Sequence, residues 1–302
     1  MQGLIVINKP KDITSFQVVA AVRRLTGVKR VGHAGTLDPI AEGVLPVLIG
    51  RPCVLSNYLT GGDKTYIAGV KLGITSDTYD ITGTLSEGKE VSVTDGQLKA
   101  AFLAFTGSIM QVPPMYSAKK VDGKKLYELA RSGRTIERRA CPVHISSITL
   151  MGPVTDNTFN IEVHCSAGTY IRSLVHDIGS YLGCGAVMTS LVRTKAAGFG
   201  IEESVGLCGL TETNIENFVL KEDAALKHYR GLNVSGRQAL RFYNGGALSR
   251  ERLGCDNAYE DEIIRVYFKG EFIGLGQMRS GELKVLCPIN RPDFELPARQ
   301  NN

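Results

Sequence analysis

The pattern that most constrains the fold is an alternation of short apolar runs, typical of strands, with capped stretches of helical periodicity. A capping box places glutamine three positions after a threonine or serine and marks where a helix begins. Such boxes predict helix starts at Thr14 with Gln17, Thr94 with Gln97, and Ser235 with Gln238. Apolar runs and alternating patterns predict strands at 4–7, 65–72, 159–165, 263–268, 272–275 and 283–287. The chain is therefore expected to contain both sheets and helices.

A further helix is predicted from about Tyr170 to Leu182, where Gly183 ends it. Its apolar residues form one stripe, and Arg172 lies outside that stripe, in the first turn. A cation there faces the positive end of the helix dipole, which costs about a few tenths of a kcal/mol or more. We therefore expect an anion close to Arg172 or, as the simpler alternative, an arginine on the surface.

Composition excludes several classes of protein. The 302 residues, 43% of them hydrophobic, suffice for about two domains with packed cores. The seven cysteines are widely spaced and form no CxxC pair, which argues against a disulfide framework or a zinc site and favours a reducing, cytoplasmic compartment. No apolar run approaches the roughly 18 residues of a membrane span. The short apolar run at the N-terminus does not have the pattern of a signal peptide.

The pattern changes after residue 228, which suggests a boundary between two domains. Residues 1–228 are predicted to form the larger domain, with a helical connector at 200–228. Residues 229–302 are predicted to form a small β-rich module, since residues 269–271 (KGE) between two apolar runs indicate a hairpin. The last residues, 297–302, are expected to be frayed.

The net positive charge is concentrated in one segment, residues 116–139, which we call the basic segment. Its eight basic and three acidic residues give a surplus equal to the +5 of the whole chain. The basic residues are Lys119, Lys120, Lys124, Lys125, Arg131, Arg134, Arg138 and Arg139. This concentration favours a polyanionic partner, most simply nucleic acid, and Gly123 and Gly133 suit an arm that closes on a phosphate backbone. The alternative is an ordinary solvated helical face.

The stretch Val31–Pro39 (VGHAGTLDP) places one carboxylate, Asp38, in a loop made mostly of small residues. Pro39 disfavours helical backbone angles at Asp38, so Asp38 is expected to begin a turn. Gly35 allows the backbone to approach a ligand closely or to adopt a positive φ. Asp38 is then either the first residue of an ordinary surface turn or a carboxylate aimed at a ligand.

Short blocks of sequence between residue 3 and about residue 200 occur in an order that identifies a family. They are Asn8-Lys9-Pro10 with Thr14-Ser15, residues 32–39 (GHAGTLDP) with Gly43-Val44-Leu45, Lys64-Thr65-Tyr66, residues 112–118 (VPPMYSA), residues 168–174 (GTYIRSL) and residues 191–194 (LVRT). This ordered set resembles the bacterial tRNA pseudouridine synthase B family. The chain departs from the family at Asp12, where glycine is usual, and at Val192, where arginine is common. These departures concern loop geometry and RNA contacts, since neither is a catalytic position in the family.

The resemblance implies an α+β fold, with a mixed, mainly antiparallel central sheet flanked by helices and a small β-rich, PUA-like RNA-binding domain at the C-terminus. It implies isomerisation of the T-arm uridine of tRNA, position 55 in tRNA convention. The C1′–N1 bond is cleaved, the uracil turns, and C5 is joined to C1′. The reaction needs a carboxylate near C1′ but no cofactor, metal or redox step. The resemblance also implies a cytoplasmic monomer that requires no protein partner and no membrane.

Functional roles follow from the resemblance, position by position. The catalytic carboxylate corresponds to Asp38, the tyrosine that stacks on the target base to Tyr66, and the arginine that pairs with the carboxylate to Arg172. Further substrate contacts are expected at Lys9, Pro10, His33, Gly35, Thr36, Leu37, Asp80, Tyr170 and Leu191. Contacts with RNA phosphates are expected at Lys119, Lys120, Lys124, Lys125, Arg131 and Arg134. Purely structural alternatives stay open for Lys9 (a strand end), His33 and Leu191 (core residues) and Asp80 (a turn).

Two other functions stay open at this point. One is a non-catalytic RNA-binding or tRNA-folding protein that uses the same basic surface. The other is the catalytic subunit of a guide-RNA pseudouridylation complex, which shares motifs like GHAGTLDP. A mere binder has no need of Asp38, Tyr66 and Arg172 together, and the basic segment favours a stand-alone enzyme.

Overall fold

A computed structural model describes residues 1–117, 119–121, 123–131, 133–134, 136–255 and 257–293. The side chains of residues 120, 121, 124, 125, 127 and 131 lie outside this description, as does the expected fraying of residues 297–302.

The described residues form nineteen strands and seven α-helices. The strands are β1 (Gly3–Lys9), β2 (Val31–His33), β3 (Ala41–Ile49), β4 (Lys64–Leu72), β5 (Ile74–Ser76), β6 (Leu85–Glu87), β7 (Gly107–Gln111), β8 (Lys120–Val121), β9 (Lys124–Lys125), β10 (Cys141–Thr155), β11 (Thr158–Cys165), β12 (Ala186–Ala196), β13 (Phe199–Gly200), β14 (Val205–Gly206), β15 (Arg230–Asn233), β16 (Leu248–Ser249), β17 (Ile263–Phe268), β18 (Glu271–Arg279) and β19 (Glu282–Pro288). The α-helices are α1 (Ser15–Thr26), α2 (Ser56–Thr60), α3 (Asp95–Ala104), α4 (Leu126–Arg131), α5 (Ile171–Leu182), α6 (Gly236–Tyr243) and α7 (Arg250–Leu253). None of the helices in the described part is long and apolar enough to cross a membrane.

A ten-stranded sheet forms the centre of the molecule. Its main path runs β14-β1-β3-β12-β4-β11-β10-β7, while β2 pairs with β3 and β13 with β12. Most neighbours are antiparallel; the parallel pairs are β1 with β14 and β3 with β12. The expectation of a mixed, mainly antiparallel sheet in an α+β fold is confirmed.

The helix limits agree with the capping signals in the sequence. α1, α3 and α6 begin with the three predicted capping boxes. α1 and α5 end at Gly27 and Gly183, which adopt the left-handed conformation that glycine tolerates best. Local sequence therefore suffices to set where these helices start and stop.

Helices α1, α3 and α5 pack their apolar stripes against the large sheet. The shared core includes Val18 and Val22 of α1, Phe102 of α3, and Leu174 and Ile178 of α5. Each such side chain contributes about 1.5–3 kcal/mol when fully buried. This packing fixes the start of α5, and with it Arg172, above the middle strands of the sheet.

The second sheet is smaller and comes from the C-terminal part of the chain. Its order is β15-β17-β18-β19-β16, with α6 packed on it around a separate apolar core. The predicted β17–β18 hairpin and the strand β19 are confirmed. Residues 200–228 were expected to be a helical connector; they contain four 3₁₀ helices and β14, which pairs with β1, but no α-helix. The division at residue 228 stays a prediction.

Candidate active site

A cavity of about 650 Å³ opens where the loop after β2, the start of α5 and the middle strands β4 and β12 meet. Nine of the residues singled out from the sequence border it: Gly35, Thr36, Leu37, Asp38, Tyr66, Lys119, Tyr170, Arg172 and Leu191. Lys9, Pro10, His33 and Asp80 do not border it. The blocks spread along the sequence therefore converge on one site.

Asp38 and Arg172 form an ion pair in this cavity. Arg172 Nη2 lies 2.8 Å from Asp38 Oδ2, and the arginine side chain is 5% exposed against 36% for the aspartate. Arg172 also donates to the carbonyl oxygens of Thr78 at 3.1 Å and Tyr116 at 2.8 Å. The anion expected near this helix start is present, and the alternative of a surface arginine is wrong. The ion pair points the more exposed carboxylate into the cavity with its partner held beneath it.

Asp38 also begins a turn, as Pro39 predicts. The N–H of Ala41 donates to the carbonyl oxygen of Asp38 at 3.0 Å. The two explanations of Asp38 are therefore compatible, because the turn is part of what orients the carboxylate. The loop is fixed further by Ser15, whose hydroxyl donates to the carbonyl of Leu37 at 3.1 Å and accepts from its N–H at 2.9 Å.

Asp80 supports Arg172 from behind. Its Oδ2 lies 3.7 Å from Arg172 Nε, and its side chain is 6% exposed. The other oxygen, Oδ1, accepts from the Thr78 hydroxyl and from the N–H of Thr82, each at 2.9 Å. Asp80 therefore shapes a turn and also faces Arg172. A substrate contact was expected here, but Asp80 is buried and does not border the cavity.

Lys9 lies in the core beneath the Asp38 loop and does not line the cavity. Its ammonium group donates to the carbonyl oxygens of Pro10 (2.8 Å), Ile13 (2.7 Å) and Pro39 (3.3 Å). Burial lowers the pKa of Lys9 from 10.5 to about 8. Lys9 and Pro10 thus connect the first strand to the loop that carries Asp38.

Asp12, the departure from the family pattern, adopts the conformation that explains the usual glycine. Its φ is 65°, in the left-handed region, and its N–H donates to the carbonyl of Pro39 at 2.8 Å. Aspartate tolerates this region better than most residues other than glycine. The main-chain contact with Pro39 is formed despite the substitution.

Arg193 and Lys64 border the cavity, but sequence reasoning assigned neither a role, and Arg193 is the more deeply buried of the two. It is 1% exposed and borders the cavity from β12. Its guanidinium donates to the carbonyls of Val44 at 2.8 Å, Gly35 at 2.9 Å and Thr36 at 3.4 Å. Gly35 has φ 80°, and a Cβ atom there would lie 3.4 Å from Arg193 Nη1, so the loop packs directly on the guanidinium. The LVRT block contained the residue, but no local rule distinguishes it from a surface arginine.

Tyr66 and Leu191 form apolar walls of the cavity. Tyr66 is the cross-strand partner of Arg193, and Leu191 precedes Arg193 by two positions, so the three side chains share one face of the sheet. Burial raises the pKa of the Tyr66 phenol, an effect that the charge of Arg193 opposes. A flat ring fits between walls of this kind, with its faces against Tyr66 and Leu191.

His33 is placed beside the site and does not open into the cavity. Its Nδ1 is buried and has no hydrogen-bond partner among the described residues. Burial, and then the charge of Arg193, lower the pKa of His33. His33 as a whole is thus half-buried beside the site, and its role stays a prediction.

Tyr170 is held at the N-terminus of α5 by Gln111. The Tyr170 N–H donates to Gln111 Oε1 at 2.8 Å, and Gln111 Nε2 donates to the Tyr170 carbonyl at 3.0 Å. Because the side chain of Gln111 is buried, this pair fixes the helix start one residue before Ile171. Arg172 consequently enters the cavity from a rigid position.

The charged side chains that border the cavity are mostly cationic. They are Lys64, Lys119, Arg172 and Arg193, against Asp38 as the single carboxylate in that lining. Burial, and then the charge of Arg193, lower the pKa of Lys64, whose ammonium donates to the carbonyls of Thr60 and Gly62. Such a cavity suits an anionic ligand. The described residues hold no group of three or more His, Cys, Asp or Glu that could bind a metal ion.

The basic segment leads away from the cavity as a short hairpin and a helix. β8 pairs with β9, α4 follows, and the buried Leu126 donates its N–H to the carbonyl of Lys119 at 2.9 Å. The Lys119 ammonium lies 2.6 Å from Cys141 Sγ, while Arg134 is exposed. The side chains of Lys120, Lys124, Lys125 and Arg131 lie outside the described structure.

Comparison with known proteins gives a consistent assignment over nearly the whole chain. Residues 23–171 match the model of the TruB family pseudouridylate synthase N-terminal domain, and residues 172–228 match the tRNA pseudouridylate synthase B C-terminal domain. A tRNA pseudouridine synthase B from Clostridium novyi (strain NT) is 43% identical over 94% of this chain and 98% of that protein. A second, from Clostridium tetani (strain Massachusetts / E88), is 39% identical over 95% and 99%.

Solved structures support the same fold. The chain aligns with a protein chain in the crystal structure of a Cbf5-Nop10-Gar1 complex with a TM-score of 0.76 and 22% identity, covering 95% of this chain and 85% of that chain. A chain in the structure of an H/ACA RNP bound to a substrate RNA containing 2′-deoxyuridine aligns with a TM-score of 0.73 and 21% identity, over 95% and 85%. From the two family models and the near-full-length similarity to the clostridial proteins, the chain belongs to the TruB family of pseudouridylate synthases.

Proposed function

We propose that this protein is a tRNA pseudouridine synthase, an isomerase that converts the T-arm uridine at position 55 of tRNA to pseudouridine. The observation that carries the proposal is the Asp38–Arg172 ion pair at 2.8 Å inside an otherwise cationic cavity. A tRNA substrate is supported by the names of the relatives that match the chain over nearly its whole length. The T-arm position comes from the resemblance of the sequence blocks.

Asp38 is the proposed catalytic carboxylate. It reacts at the ribose, either by attacking C1′ or by removing the 2′ proton, and the C1′–N1 bond breaks with its electron pair passing to the uracil. The uracil then turns and C5 bonds to C1′, while Asp38 leaves C1′ or returns the proton to C2′. The proton on C5 is then lost and N1 gains one, so the product is an isomer of the substrate. Arg172 holds the carboxylate in position throughout, because both its carbonyl contacts and Asp80 fix the guanidinium.

The remaining cavity residues are proposed to hold the uracil. Tyr66 stacks on the ring and Leu191 packs against it, which matches their positions on one face of the sheet. Gly35, Thr36 and Leu37 bring the loop backbone close to the nucleotide, and Tyr170 borders the entrance. Lys9, Pro10, His33 and Asp80 act on the substrate indirectly, through the loop and Arg172.

The target uridine lies within a folded RNA and has to be extruded from its stack, at a cost of about a few kcal/mol. We propose that contacts of the basic segment with phosphates offset this cost, through Lys119, Lys120, Lys124, Lys125, Arg131 and Arg134. The C-terminal residues 229–302, as a PUA-like domain distinct from residues 1–228, add shape contacts with the RNA. A cytoplasmic monomer that works without a protein partner completes the proposal.

The direct test uses the purified protein with unmodified tRNA transcript and with neither a cofactor nor a guide RNA. Pseudouridine is then mapped by nuclease digestion and mass spectrometry. We expect one pseudouridine, in the T arm. Tight tRNA binding without any isomerisation would favour the folding-protein alternative, and activity that appears only with an added guide RNA would favour the guided complex.

A further inference from the structure

We propose that Arg193 is a catalytic residue whose positive charge stabilises the uracil as it leaves C1′ as an anion. This inference rests on the proposed function. It assigns to the cavity a second cation with a task different from that of Arg172, which is paired with the catalytic carboxylate.

Arg193 is a buried cation without a buried anion. No ion pair to Arg193 occurs among the described residues, and its hydrogen bonds go to the main-chain carbonyls of Gly35, Thr36 and Val44. By contrast, Arg172 lies beside both Asp38 and Asp80. An unpaired buried charge is costly, and an arginine, unlike Lys9, cannot remove that cost by losing its proton. The missing counter-charge is therefore one that a ligand brings or that forms during a reaction.

The position of Arg193 indicates that the negative charge facing it comes from the nucleobase. Arg193 is the cross-strand partner of Tyr66 and lies two positions after Leu191, the residues proposed to enclose the uracil. At 1% exposure, beneath the loop of Gly35, it is too deep for an RNA phosphate on the surface. A guanidinium has five N–H groups, and the three carbonyls can take one from each nitrogen. Of the two that remain, one faces the Tyr66 hydroxyl, which leaves at least one for a ligand.

The chemistry requires such a cation at one stage. When the C1′–N1 bond breaks, its electron pair passes to N1 and spreads over O2 and O4, so the free ring carries a full negative charge. The charge disappears again when C5 bonds to C1′, after which the C5 proton is lost and N1 gains a proton. A fixed positive charge at the cavity wall lowers the energy of the charged stage without binding the neutral uridine equally well, which is the condition for faster reaction. The reach of this charge is seen in the lowered pKa values of Lys64 and His33, where it adds to burial.

The test compares leaving groups. Arg193→Gln, Arg193→Lys and the wild type are assayed in single turnover on T-arm transcripts that carry either uridine or 5-fluorouridine, whose fluorine makes the ring a better leaving group. For uridine, Arg193→Gln is expected to slow loss of the starting nucleoside by about 10²–10³-fold, with Kd changed by less than about threefold. For 5-fluorouridine the slowing is expected to be at least about tenfold smaller. Arg193→Lys keeps the charge but loses the planar set of N–H donors, so it should slow the reaction of both substrates by a similar factor.

Two outcomes overturn the inference. Equal slowing of both substrates by Arg193→Gln would mean that Arg193 only anchors the loop carbonyls. A weaker Kd with a flatter salt dependence and an unchanged single-turnover rate would mean a phosphate contact. If thermal unfolding shows that Arg193→Gln does not fold, Arg193→Met takes its place, since apolar replacement of buried charges is often tolerated. It is judged by the same quantity, the slowing for uridine divided by the slowing for 5-fluorouridine. A wild type that makes no pseudouridine would instead refute the proposed function.

Discussion

The cavity and the basic segment both carry excess positive charge, but they hold it in opposite ways. In the cavity Arg172 and Arg193 are at most 5% exposed, and each is fixed by several hydrogen bonds. In the basic segment Arg134 is exposed. Buried, immobilised charges act strongly over short distances, whereas exposed charges act weakly and are screened by salt. We therefore expect the cavity to determine the rate and the basic segment to determine affinity.

Replacing Asp38 is the strongest test of whether the cavity determines the rate and not the affinity. Asp38→Asn keeps the side-chain size but removes the charge that reacts at the ribose, so we expect a loss of at least about 10³-fold in the single-turnover rate. The Kd for tRNA should stay within about tenfold of the wild type. Asp63→Asn, at an exposed position outside the cavity, serves as the control and should keep the wild-type rate. A Kd that weakened in parallel with the rate would show that the cavity also determines affinity.

A second change concerns how firmly the carboxylate is held. Arg172→Lys keeps the charge but cannot reach Asp38 and the carbonyls of Thr78 and Tyr116 together. We expect a loss of about 10²-fold in the rate. Asp80→Asn can keep the hydrogen bonds of Oδ1 with Thr78 and Thr82, but it replaces the carboxylate oxygen 3.7 Å from Arg172 Nε by an N–H₂ group; it should cost about tenfold or less. If the two variants lost the same factor in rate, the charge of Asp80 would matter as much as the several contacts of the Arg172 guanidinium.

Sequence reasoning worked where a signal is local. Capping boxes gave the starts of α1, α3 and α6, and the dipole conflict at Arg172 predicted a nearby anion, because both depend only on neighbouring residues. Arg193 could not be found in this way. Its importance comes from β12 lying next to β3 and β4, which puts the carbonyls of Gly35 and Val44 around one guanidinium.

The same limit explains the residues that were expected to touch the substrate but lie behind the cavity. Lys9 and Asp80 belong to the right blocks, yet their side chains are turned toward Pro39 and Arg172. A sequence block records that a residue is near a site, but the layer in which its side chain lies depends on strand register and on burial. Gly43 shows how strict that register is, because a Cβ atom there would lie 2.3 Å from the carbonyl oxygen of Arg193.

The basic segment gives the complementary test, with a smaller expected effect. Replacing Lys120, Lys124, Lys125 and Arg134 together by glutamate should weaken Kd by at least about tenfold and reduce the slope of log Kd against log salt by up to about 3 units. The single-turnover rate at saturating enzyme should stay within about threefold. Lys99→Glu, at an exposed site on α3, should change neither quantity. An unchanged salt slope in the quadruple variant would show that the segment is not an RNA clamp.

The smallest effect is expected in stability, at Lys9, where a buried cation supports the loop that carries Asp38. Burial lowers the pKa of Lys9 from 10.5 to about 8, so between these pH values the unfolded chain binds a proton that the folded chain has released. The unfolding free energy therefore rises with pH across this window, by up to about 3 kcal/mol, and the destabilising effect is fully present below about pH 8. Urea unfolding from pH 7 to 10.5 should show this rise in the wild type and in the exposed-site control Lys99→Met, but not in Lys9→Met. If the unfolding free energy of Lys9→Met still rose with pH, other titrating groups would have to cause the rise. The cost of burying a charge beneath the Asp38 loop would then be small.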